Sequence, residues 1–239
     1  METKSAEHAR SCFFFGRLFL EPPCELLLRQ IVQQRLFTQA EQGDDPEAAQ
    51  RCCCDLAEDG RWPLRAESIA AEYEALFTPF AEKAIPPYEA YWLDLLSLDP
   101  SAVREESGLF SAQVMERSRG YLYTPSGFSV EAAYRRAGFE WIPSIHHFPD
   151  HLACELEFMG QAYAKGQGAL VRSFFQEHLG RWVFSFLEQL REQEVSTFYM
   201  AAADAMDLFL RTEFGREDRS ADLDGMGREV KKKEVLRWR

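Results

Sequence analysis

"FFQEHLGRWVFSFLEQL", residues 174–190, is the stretch that decides the fold class. Its bulky apolar residues Phe174, Phe175, Leu179, Trp182, Phe186 and Leu190 follow one another at intervals of one, four, three, four and four. Such spacing lines one side of a helix with 3.6 residues per turn, whereas a half-buried strand would alternate every second residue. The pattern predicts a helix over residues 169–191.

The same period extends in both directions. Upstream, residues 149–164 carry Leu152, Leu156, Met159 and Tyr163 at intervals of four, three and four. Downstream, residues 195–212 add Phe198, Met206, Phe209 and Leu210. Ala66 to Phe77 sets Ile69, Tyr73, Leu76 and Phe77 on one stripe, and Pro79, Pro86 and Pro87 then impose a loop. Further helices are expected over 10–37, broken near Pro22 and Pro23, over 47–58, over 101–118 and over 129–137, the last closed by Gly138. No hairpin signal such as Asn-Gly between alternating apolar runs occurs. The expectation is an all-α protein, with a single helical bundle-like domain over 1–214. From Gly215 the apolar period fails and charges dominate, so 215–239 reads as a charged C-terminal tail.

A chain of 239 residues can bury a sizeable core, and its 46% hydrophobic content includes 19 Phe, 8 Tyr and 5 Trp. The apolar run Cys12 to Leu20 is interrupted by Arg17 and is too short to span a bilayer. It lacks a basic flank and a small-residue cleavage site, so no export signal is read and a cytoplasmic location is expected. The six cysteines, at 12, 24, 52, 53, 54 and 154, have no regular spacing, which suits free thiols in a reducing compartment. A net charge of −12 argues against nucleic-acid binding and would attract a basic partner, although solubility accounts for it equally well.

Signatures of enzyme chemistry are sparse. Phosphate-binding and dinucleotide-binding glycine loops, a nucleophile elbow and a zinc-protease helix are all absent from the sequence. Paired Glu-x-x-His ligands are also missing, because Ser5, Pro143, Ser144, Phe148 and Phe175 stand three residues before the five histidines. In "RCCCD", residues 51–55, adjacent thiols on a helix point about 100° apart and cannot converge on one ion. No cofactor and no metal are expected.

"FPDHLACELEFM", residues 148–159, is harder to dismiss. With His146 and His147 just upstream, His151, Asp150 and Glu155 leave open a metal site or an acid–base pair, the basis of a rival reading as a metal- or nucleotide-dependent enzyme. On a helix starting near Pro149, however, His151 and Glu155 fall on one flank and Asp150, Cys154 and Glu157 on another. A proline at the first helical position with an acid in the first turn is also an ordinary helix start.

"PDHLACELEFM", preceded by Gly138 to Trp141 and followed by residues 174–190, resembles the signature region of the TorD/DmsD/NarJ family of molybdoenzyme maturation chaperones. "YEALFTPFAEKAIPPYEAYW", residues 73–92, is similar to the family's second marker, an aromatic helix ending in Leu-Phe and followed by a proline-rich loop. The two matches and their flanks span most of residues 10–212.

The resemblance implies an all-helical protein that is not an enzyme. Its partner would be the apo form of a molybdenum oxidoreductase catalytic subunit, bound through a leader, commonly of the twin-arginine type, or through the N-terminal region. The client would be held until its cofactor is inserted, before export or assembly. Neither nucleic acid nor membrane insertion is implied, and monomer and helix-exchanged dimer both stay open. The peptide-binding positions carried over are Tyr73, Leu76, Phe77, Tyr88, Pro149, Asp150 and His151, with Glu155 on the same flank as His151. A leader of two arginines beside an apolar stretch calls for aromatic rings flanked by carboxylates. An exposed Asp150 would accept from arginine or peptide backbone, His151 would orient it, and Tyr73, Phe77 and Tyr88 would hold the apolar part. Ala90 departs from the family's serine after "PYE", and neither Cys52–Cys54 nor the charged tail maps onto a family motif.

Overall fold

The computed structural model describes residues 4–34, 61–78, 84–95, 125–141, 148–193 and 197–215. The helices expected at 47–58 and 101–118, the Cys52–Cys54 run, His146, His147 and the tail beyond residue 215 lie outside the described residues. The rest is all-α. Eight α-helices occur among the described residues: α1 Lys4–Leu20, α2 Glu25–Gln34, α3 Trp62–Phe77, α4 Pro125–Arg136, α5 Leu152–Ala164, α6 Gly168–Glu177, α7 Val183–Glu192 and α8 Thr197–Phe214. A π-helical turn covers Tyr91–Leu95 and a 3-10 turn covers Leu179–Arg181.

Local chemistry explains where several helices begin and end. Pro22 and Pro23 follow α1 and separate it from α2, as expected. Pro63 sits in the first turn of α3, where a missing N–H does no harm. Helix α4 closes at Gly138, whose φ of +76° is left-handed and lets Phe139 N–H donate back to Tyr134 O at 3.0 Å.

Helix α1 packs along α5 at the centre of the bundle. The approach is close: a Cβ added at Gly160 on α5 would lie 2.7 Å from the Phe13 ring of α1. Phe19 is fully buried, with ring centroids of Phe77 at 5.8 Å, Phe186 at 5.6 Å and Tyr199 at 6.2 Å, so one side chain joins α1, α3, α7 and α8. A second aromatic group, with Tyr134 4.7 Å from Phe158 and Phe158 4.6 Å from Phe174, joins α4, α5 and α6. These edge-on and tilted contacts add to the apolar area they bury. No helix among the described residues is long and apolar enough to cross a membrane.

Two expected helices take a different form. The helix read over 169–191 is two helices, α6 and α7, separated by the 3-10 turn. His178 leaves helical geometry with φ −128° and ψ −95°. The helix read from Pro149 begins at Leu152, with His151 as its N-cap. Pro149 and Asp150 form a turn in front of it.

Candidate functional site

The two sequence markers meet at the start of α5. His151 caps the helix: its Nδ1 accepts from Ala153 N–H at 3.1 Å, while its carbonyl accepts from Cys154 N–H at 2.8 Å and Glu155 N–H at 3.1 Å. The Tyr134 hydroxyl donates to Pro149 O at 2.8 Å and fixes the turn from the α4 side.

Against this turn lies the proline-rich segment 84–92. Leu152 N–H donates to Pro87 O at 2.8 Å and Glu89 N–H donates to Asp150 O at 3.0 Å, which makes an antiparallel bridge between Tyr88 and His151. Ala90 N–H donates to the Asp150 side chain, at Oδ2, over 3.0 Å. Asp150 therefore accepts from one segment with both its backbone and its side chain. Trp92 Nε1 closes the segment on itself by donating to Pro86 O at 2.9 Å. At its near end Ile85 N–H donates to Leu76 O at 2.6 Å and ties it to the end of α3.

Asp150 corrects the expectation of an exposed acid, since it is 0% exposed. His151 and Glu155 are as deeply buried, at 1% and 0%. Pro149, Leu76 and Phe77 are buried too, which leaves Tyr73 and Tyr88 half-buried. Tyr73 is otherwise engaged, because its hydroxyl donates to Leu20 O at 2.9 Å and caps the last turn of α1. The eight residues thus divide. Tyr88, Pro149, Asp150, His151 and Glu155 form one compact group, whereas Tyr73, Leu76 and Phe77 form the adjoining wall.

Side chains that the sequence did not single out complete the site. Glu89 is 1% exposed, and its Oε2 lies 3.3 Å from Nδ1 of His178, which is 3% exposed. Asp94 accepts from Ser126 N–H at 3.1 Å and Ser126 Oγ at 3.0 Å, and so connects the π-helical turn to α4. Glu89 stands inside the quoted "PPYEAYW", where an acid amid aromatic and proline residues was the available signal. His178 gave none, because nothing in its own segment marks a partner 89 residues away.

The electrostatics follow from burial. Asp150 is pushed up to about 7 by burial, with Glu89 and Asp94 adding to the rise and the Ala90 N–H opposing it. Burial, with Glu89 and Asp150 nearby, holds Glu155 well above the usual carboxylate range. Neither Glu155 oxygen has a hydrogen-bond partner, and the Trp182 indole N–H, which favours the charged form, does not complete a bond to either. Burial, Glu157 and Glu155 push the Cys154 thiol up to about 12, which keeps it protonated at neutral pH. No group of three or more His, Cys, Asp or Glu among the described residues is arranged to hold a metal ion. The ring of Tyr88, 4.8 Å from His151 and 6.3 Å from Phe148, forms a half-buried aromatic rim above these acids.

A family model described as "Nitrate reductase delta subunit" matches residues 41–188, more than half of the chain, and covers both markers. No curated protein matches the chain.

Proposed function

Because the chain belongs to the nitrate reductase delta subunit family, whose members are molybdoenzyme maturation chaperones, we propose that it binds the leader or N-terminal peptide of a molybdenum-containing oxidoreductase subunit. It holds that subunit in the cytoplasm for cofactor insertion before export or assembly. The observation that carries this reading is the joining of both family markers into one surface by the Tyr88–His151 bridge. Tyr88, Phe148, Tyr91 and Trp92 are all half-buried there and offer rings to an apolar peptide stretch.

In this reading Asp150 acts on the peptide indirectly. It shapes the 87–90 segment that presents Tyr88, while His151 sets the start of α5. Leu76 and Phe77 back the segment from the core, and Glu155 lies beneath it. Calorimetry with a synthetic twin-arginine leader tests the proposal. Micromolar or tighter binding to wild type is expected, weakened about tenfold in Tyr88→Ala through loss of a partly desolvated ring, a change of roughly 1.4 kcal/mol. No detectable binding, or equal affinity for both proteins, would move the client surface away from this site.

A further inference from the structure

Glu89, Asp150 and Glu155 converge from the 84–95 segment, the turn before α5 and the first turn of α5, and each is 0–1% exposed. His178 is a basic side chain in contact with this group, through Glu89 at 3.3 Å. Both oxygens of Glu155 and Oδ1 of Asp150 are buried without a hydrogen-bond partner. A buried carboxylate in that position is tolerated far better neutral than ionised. Asp150 accepts from Ala90 N–H at its side-chain Oδ2 and from Glu89 N–H at its backbone O, so the residue that anchors the proline-rich segment is itself a buried acid.

We propose that Asp150 and Glu155, packed against Glu89, form a proton-holding latch that keeps the 84–95 segment on the start of α5 and loosens as these two acids ionise, opening the face assigned above to the client peptide. The regulatory claim rests on that assignment; the latch itself does not. Asp150 faces Glu89 and Asp94 and also lies within electrostatic reach of Tyr88, Tyr134 and Cys154. Glu155 faces Glu89, Asp150 and the Trp182 indole, with Tyr134 and Cys154 nearby. Burial raises both tyrosine hydroxyls and the Cys154 thiol, so these groups stay protonated while the carboxylates titrate.

The direction is set by linkage. Asp150 titrates near 3.8 when solvated and near 7 in the closed segment, so the closed form binds more protons. Closure is fully favoured below the solvated value and loses that advantage as pH rises to about 7, with Glu155 extending the loss higher.

Amide hydrogen exchange at Glu89, Ala90 and Leu152, corrected for intrinsic rates and measured without peptide, tests the latch. In wild type, protection should fall by about tenfold or more per pH unit between pH 5 and 7, one proton released per opening by Asp150 giving the tenfold and any release by Glu155 steepening it. In the double variant Asp150→Asn, Glu155→Gln the slope should drop below about twofold per unit. A wild-type slope below twofold overturns the latch, and that measurement stands even if the variant fails to fold. A folded variant that keeps the wild-type slope overturns it as well. Leader titration at pH 8 is read separately: absence of binding there sinks the client assignment and leaves the exchange result standing.

Discussion

Asp150 stands in a different environment from the one its place in the sequence suggests. A helix-start acid in "PDH" reads as an exposed acceptor for arginine, yet the residue is 0% exposed and bonds Ala90 N–H instead. Asparagine can still offer a carbonyl oxygen to that N–H and carries no charge into the core, so urea denaturation at pH 8 should find Asp150→Asn at least as stable as wild type. Asp150→Ala leaves the N–H unpaired and should be about 1–3 kcal/mol less stable. Wild-type stability should fall as pH rises from 3.8 to about 7, because the folded state holds the proton more tightly, and Asp150→Asn should flatten that slope. The motif was legible as residues 148–159, but burial was not. It depends on Pro87, Glu89 and Ala90, which lie about 60 residues away.

At the scale of elements, the period of 174–190 correctly marked the apolar side and missed the break. Apolar spacing reports which side of the backbone faces the core, and a 3-10 turn changes that direction too little to disturb it. What makes the turn possible is Gly180, where an added Cβ would stand 2.7 Å from Phe175 O and 2.7 Å from the Phe175 ring. Backbone oxygen cannot rotate away as a side chain can. Gly180→Ala should therefore destabilise by about 1–3 kcal/mol, a lowering of Tm of roughly 2–4 °C per kcal/mol, readable by calorimetric melting. The turn also sets His178 beside Glu89, so the same substitution would disturb one wall of the acid cluster.

For the molecule as a whole, Phe19 is a fully buried ring that ties α1 to three other helices through Phe77, Phe186 and Tyr199. Phe19→Ala should cost about 3–5 kcal/mol in chemical denaturation, the range for truncating a fully buried aromatic. The net charge of −12 acts at longer range. If the client peptide is cationic, raising salt from 0.05 to 0.5 M should weaken leader binding several-fold, chiefly through a slower association rate. Salt-independent affinity would mean that apolar contact at the Tyr88 rim dominates recognition.

The sequence by itself determined the helical class, the apolar side of the segments 66–77, 149–164, 169–191 and 195–212 and the two marker segments, because periodicity and proline placement are local properties of the chain. It also carried the family, which rests on short contiguous motifs. Only the tertiary structure decided that those markers pair, that Asp150, His151 and Glu155 are buried, and that Glu89 and His178 join them. Those outcomes follow from contacts between residues dozens of positions apart. The protonation of an acid depends on how much water and which charges surround it, and that surrounding exists only once α5, α6 and the 84–95 segment have come together.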